Sequence, residues 1–196
     1  GREIPYRFPQ DYFPGSNSAP GNVTGELVYV GHGITAPELG YDDYEGVDVN
    51  GKIILLESGT PYTKNDSTLA RWTPYAYHRY KFRNAVKHGA AGCLYIGKIA
   101  NPNTVNLDDF VYAHIDQHVA EQIFADAGKD YSGVKEALKS MKAPSFHCPP
   151  EQKASISAET LYFPGSRACN VVGVIEGADP DLKDEVIIAG AHLDGQ

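Results

Sequence analysis

The chain ends on a pair of residues that could do metal chemistry. His192 and Asp194 stand in the run Ala191-His192-Leu193-Asp194-Gly195-Gln196, directly after the apolar stretch Val186-Ile187-Ile188-Ala189-Gly190. Residues two apart on an extended backbone point to the same side. A histidine placed this way can ligate a metal ion while the aspartate orients its ring by a hydrogen bond. If 185–191 is a strand in an open α/β sheet, the pair stands at its carboxyl end, where ligand sites form. The same letters also describe a plain strand end followed by an Asp-Gly turn.

Other groups compete for attention. His114 and His118 are four apart, the spacing that puts two ligands on one helix face in His-Glu-x-x-His metallopeptidases. Here the intervening residues are Ile115-Asp116-Gln117, with no glutamate. Asp116 suits a helix N-cap, which leaves His114 outside the helix. The acidic stretch Tyr41-Asp42-Asp43-Tyr44-Glu45-Gly46-Val47-Asp48 offers clustered oxygens but lacks the spaced carboxylates of a calcium loop. It reads as a solvated loop with its tyrosines packed inward. Arg71 to Tyr80 is dense in aromatics and cations. It fits a partner-recognition surface and core packing covered by Arg and Lys stems equally well. Ser16 and Ser58-Gly59-Thr60 have no adjacent base. Tyr162 to Ser166 lacks the Gly-x-Ser-x-Gly of a nucleophile elbow.

The elements that must hold these groups are legible from patterning. Short apolar runs bounded by glycine or turn residues predict strands at Glu26–Val30, Lys52–Glu57 and Cys93–Ile96. Alternation predicts a half-buried strand over Ala154–Phe163. Two more strands are expected over Asn170–Glu176 and Glu185–Ala191. Thr73-Pro74 opens a helix expected to run to His88-Gly89. Asp116 caps a second helix ending at Gly128, and Ser132 caps a third. The interleaving of strands and helices is an α/β (α+β) pattern rather than a sandwich.

Composition narrows the function classes. The chain has 196 residues, 42% hydrophobic and 21% charged, with a net charge of -8. No Lys/Arg cluster suits nucleic acid, and no apolar run is long enough to span a membrane. Cys93 reads as a buried small hydrophobe, while Cys148 and Cys169 can pair if the fold brings them together. The sequence opens on Gly1 without a signal-peptide pattern. It is expected to be a trimmed chain of an exported protein, periplasmic, cell-surface or extracellular. Residues 1–24 are aromatic, Pro-rich and aperiodic, and are expected to form an arm packed on something larger. Pro-rich residues 143–150 mark a second boundary.

Two segments resemble known families. Gly25 to Gly51 (G-E-L-V-Y-V-G-H-G-I-T-A-P-E-L-G-Y-D-D-Y-E-G-V-D-V-N-G), then Lys52 to Leu56, then Lys87-His88-Gly89-Ala90-Ala91-Gly92-Cys93-Leu94-Tyr95-Ile96, resemble a protease-associated (PA) domain. Arg167 to Gly177, Asp179-Pro180, and Asp184 to Asp194 resemble the opening of a di-zinc aminopeptidase catalytic domain, in the family that includes glutamate carboxypeptidase-like proteins. The order of the two segments is the order found in such enzymes. The resemblance implies a PA-type insert, 25–145, with a compact, partly closed sheet flanked by helices. It implies a preceding arm, 1–24, packed on the peptidase part. Residues 146–196 would then begin a larger α/β zinc-peptidase sheet.

By the same resemblance, His192 is a zinc ligand and Asp194 its orienting partner. The bridging aspartate, the Glu-Glu pair, a further aspartate and a last histidine would follow downstream in such an enzyme. A zinc site needs three or four donors, so this chain alone is expected to bind no zinc and to be inactive, as the front portion of an exopeptidase acting on peptides. The alternative is a stand-alone PA module that binds protein or peptide. Exposed strand edges in 146–196 would favour a dimer.

Overall fold

In the computed structural model, residues 3–61, 69–97, 106–139, 144–161, 163, 165, 169–182 and 184–191 are described. The chain divides into two units, Gly1–Tyr162 and Phe163–Gln196.

Unit 1 is a mixed α/β domain built on four parallel strands. They are β2 (Gly21–Tyr29), β5 (Ile53–Glu57), β6 (Gly92–Ile96) and β7 (Val111–Ile115). Leu27 faces Ile53, Ile53 faces Gly92, and Gly92 faces Val111 in register. β1 (Tyr12–Pro14) closes one edge antiparallel to β7, and β8 (Phe146–His147) lies antiparallel to β2 at the other. β9 (Lys153–Ala158) pairs with the first half of β2 from Gly21 to Glu26. β3 (Thr35–Ala36) and β4 (Tyr41–Asp42) form a small separate ladder around a short 3-10 turn at Pro37–Leu39.

The central strands read as continuous apolar runs because helices cover both faces. Ile53, Leu55, Leu94, Ile96, Val111, Ala113 and Ile115 meet α3 (Gln117–Asp126) and α4 (Tyr131–Leu138) through Val119, Ile123, Phe124 and Leu138. Ile54, Leu56, Cys93, Tyr95 and Tyr112 face the other way, onto Phe82 and Ala85 of α2 (His78–Lys87). A third cluster joins Ile34, Ala36 and Tyr41 to Trp72 of α1 (Leu69–Ala76).

The sheet is partly closed, as expected. A Cβ on Gly92 would lie 2.8 Å from the Val111 carbonyl oxygen and 2.9 Å from Val23 Cγ1. Only glycine lets the first half of β2 approach β6 this closely.

Several local expectations are corrected. The helix from Thr73 is two helices, with Tyr77 extended between them (φ -75, ψ 135). Pro74 sits inside α1 instead of opening a helix. It has no N–H to give to the turn behind it, and the helix stops two residues on. Asp130, not Ser132, caps α4. Its carboxylate accepts from the amides of Ser132 and Gly133 at once. Within residues 1–24, expected to pack on the peptidase part, Tyr12–Pro14 is the edge strand of this sheet. The boundaries at 24 and 145 fall within its pairing, since β2 runs across the first and β8 begins directly after the second.

Unit 2 has no strand among its described residues, although 170–176 and 185–191 carry strand formers. Val171, Val172, Val174, Ile175, Val186, Ile187 and Ile188 are each at least 79% exposed. A β pattern with no partner strand has nothing to satisfy its ladder. Turns at 180–182 are held by Asp179 Oδ1 accepting from the Asp181 amide. All three cysteines are free thiols, Cys148 buried and Cys169 exposed.

Candidate functional site

The connection from β2 to β5 crosses the carboxyl ends of the parallel strands, where ligand sites form in open α/β sheets. It is bolted down from inside. Asp43 is buried, and its carboxylate accepts from the amides of His32 (3.1 Å) and Ile34 (2.9 Å) and from the Tyr41 hydroxyl (2.7 Å). These bonds turn the chain back at Gly31, whose φ is +48°. A Cβ there would meet Asp43 Oδ1 at 2.4 Å.

Lys81 of α2 is wholly buried and donates to the carbonyls of His32 (2.5 Å) and Gly59 (2.8 Å). Burial pulls its pKa down, and the carboxylates of Asp43 and Glu57 oppose that shift. Burial pushes Asp43 and Glu57 up. Glu57 accepts from the Tyr131 hydroxyl at 2.7 Å. His32 is pushed down to about 3, by burial first and the nearby Lys81 second, so it is neutral at physiological pH. Its Nδ1 donates to the Ser58 carbonyl at 2.8 Å. The cluster joins two loops and a helix in the interior and ends in backbone carbonyls rather than in a cleft.

The outer side of the same connection forms a groove against α2. Thr35 is its hub. The Tyr80 hydroxyl donates to the Thr35 carbonyl (2.7 Å), and Asn84 Nδ2 reaches the Gly33 carbonyl and Thr35 Oγ1 at 3.1 and 3.2 Å. Thr35 Oγ1 donates to Asp42 at 3.0 Å and lies 3.1 Å from His88 Nε2. The groove encloses about 400 Å³. Pro37 and Pro74 wall one side, Tyr77 and Tyr80 supply aromatic surface, and Arg79, Arg83 and Lys87 line the helix. Arg79 stacks over the Tyr77 ring at 5.3 Å. None of the three cations is ion-paired among the described residues. A second cleft of similar size lies between residues 16–20, 106–109 and 160–161, with Asp108 and Asp109 in its wall.

The family model for the PA domain matches residues 23–123, more than half of the chain. The chain belongs to the PA domain family. An aminopeptidase from Aneurinibacillus sp. strain AM-1 is similar over 59% of this chain at 26% identity, with a TM-score of 0.36. This chain spans 26% of that one. No curated protein matches it.

The residues singled out in sequence fall in different places around this PA domain. His192 and Asp194 lie outside the described residues. Among the described residues, no three His, Cys, Asp or Glu side chains converge to hold a metal ion. His114 is buried in β7 beside Tyr95 and Tyr112, and burial pushes it down to about 4. His118 stands outside on α3, with Nε2 on Asp11 (2.9 Å) and Nδ1 on Asp116 (3.0 Å). The pair therefore shares no helix face, and Asp116 caps α3 as expected.

In the acidic stretch Tyr41 and Tyr44 are buried, but so is Asp43, which sequence reasoning placed in solvent. The Arg71–Tyr80 stretch divides between both of its readings. Trp72, Tyr75 and Tyr80 pack together, while Tyr77 and Arg79 face the groove. Arg83 and Lys87 were missed, although Arg79, Arg83 and Lys87 repeat every fourth residue, the spacing of one helix face.

Proposed function

We propose that unit 1 is the non-catalytic PA module of a zinc aminopeptidase and that unit 2 opens its catalytic part. The observation that carries this reading is the contrast between the units. Unit 1 buries its apolar strands on both faces. The strand formers of 170–176 and 185–191 are bare, as pieces of a larger sheet would be. His192 would be one zinc ligand and Asp194 would orient its ring. Zinc, when bound, would polarise the scissile carbonyl and activate water. Unit 1 would position peptide or shield the site. An exported location fits this role.

The test is aminoacyl-nitroanilide hydrolysis by a polypeptide extended through the downstream ligands. Activity that depends on zinc and falls at least a thousandfold in His192→Ala supports the reading. Full activity in that variant defeats it.

A second reading, a peptide-binding module with no enzymatic partner, is favoured by the groove on α2. The Lys81, Asn84 and Tyr80 bonds hold it formed without a ligand, and preformed sites bind at lower entropic cost.

A further inference from the structure

We infer that the groove on α2 binds an acidic peptide in extended conformation, with carboxylates at alternate positions. The inference deepens the binding-module reading and rests on it. Arg79, Arg83 and Lys87 stand four residues apart on α2, so each is displaced from the next by about 6 Å along the axis. Alternate residues of an extended peptide are about 6.6 Å apart and point to one side. One strand-like segment can thus set three carboxylates against three cations.

The cations are exposed and unpaired among the described residues. The neighbouring carboxylates are engaged elsewhere, Glu38 by the Tyr75 hydroxyl and Asp42 by Thr35. Tyr77, Tyr80, Pro37 and Pro74 supply apolar surface for the peptide stems. Arg pairs with carboxylate through a planar fork, which adds geometric selectivity. The chain as a whole carries a net charge of -8, which repels a long polyanion and favours a short acidic segment confined to this face.

The test is fluorescence anisotropy of the full chain with labelled Ala-Glu-Ala-Glu-Ala-Glu-Ala, its Gln and Lys counterparts, and a short single-stranded oligonucleotide. The Glu peptide is expected to bind at low salt and to weaken as salt is added. It is expected to bind about tenfold more tightly than the Gln peptide. Arg79→Glu/Arg83→Glu is expected to lose at least that factor with little change in melting temperature, since both side chains are exposed and Arg79 stacks only on the exposed Tyr77 ring. Equal binding by the variant, or by the oligonucleotide, overturns the inference. Equal binding of the Gln and Lys peptides, lost in the variant, overturns the acidic preference and leaves the binding module standing. Binding by none of the ligands defeats both.

Discussion

The Tyr80 hydroxyl donates to the backbone carbonyl of Thr35 at 2.7 Å. The helix that carries Arg79 and Arg83 therefore also holds the opposite wall of their groove. Tyr80→Phe keeps the ring and removes this bond. It is expected to cost about 1 kcal/mol in urea unfolding and to weaken peptide binding more than it weakens the fold. A change in stability alone would limit Tyr80 to packing.

Lys81 ties the His32 and Gly59 carbonyls together beneath that wall. Lys81→Met keeps the volume but leaves the His32 and Gly59 carbonyls without their donor and Asp43 without its counter-charge. Leaving a buried carbonyl without its donor costs about 1–3 kcal/mol, and two are left here, so the variant should unfold at markedly lower urea. Lys81→Met/Asp43→Asn should recover part of that loss. No recovery would show that the carbonyl bonds, not the charges, matter.

The N-terminal arm should respond to pH through His118. Hydrogen bonds to Asp11 and then Asp116 hold its pKa above the ordinary histidine value. A raised folded pKa means that the stabilisation is full below about 6.5 and is lost as pH rises through the folded value. NMR titration of His118 should therefore give a pKa above that of a free histidine. Hydrogen exchange at Asp116, whose amide donates to the Asp11 carbonyl, should quicken as the pH passes it. His118→Gln should remove that dependence.

Buried neutral histidines act in the opposite sense. His32 and His114 are lowered to about 3 and about 4, burial being the first cause of each. The unfolded chain takes up protons that the folded chain refuses. Their contribution is full above about 6.5 and is lost as pH falls towards the folded values. Melting temperatures should drop across that window, and His114→Phe should flatten part of the drop.

Gly92→Val should fail to close the sheet. Its Cβ would press on backbone, the Val111 carbonyl oxygen at 2.8 Å, which cannot swing away as a side-chain end can. Overpacking costs about 1–3 kcal/mol, and circular dichroism with melting would read it.

Much of unit 1 was legible in sequence. The runs Ile53–Glu57 and Gly92–Ile96 are apolar throughout because helices cover both faces, and that continuity is what patterning detects. Val111–Ile115 carries His114 within a short run that shows no apolar–polar alternation, so its pattern does not single it out as a strand. Phe146–His147 and Tyr12–Pro14 are too short to show a period. The strands expected at 170–176 and 185–191 failed for another reason: propensity alone does not make a strand without a partner. The groove escaped because it joins Thr35 to a helix more than forty residues later. In sequence it shows only as the aromatic and cationic run Arg71–Tyr80 and as the four-residue spacing of Arg79, Arg83 and Lys87 on α2.

The chain contains a PA domain, and the proposal is that it precedes the opening of a zinc peptidase whose remaining zinc ligands lie downstream. Zinc stoichiometry by mass spectrometry, on the chain stripped with chelator and reloaded, tests it most directly when aminoacyl-nitroanilide hydrolysis is followed alongside. The account predicts no tightly bound zinc and no turnover. Stoichiometric zinc with turnover would contradict it.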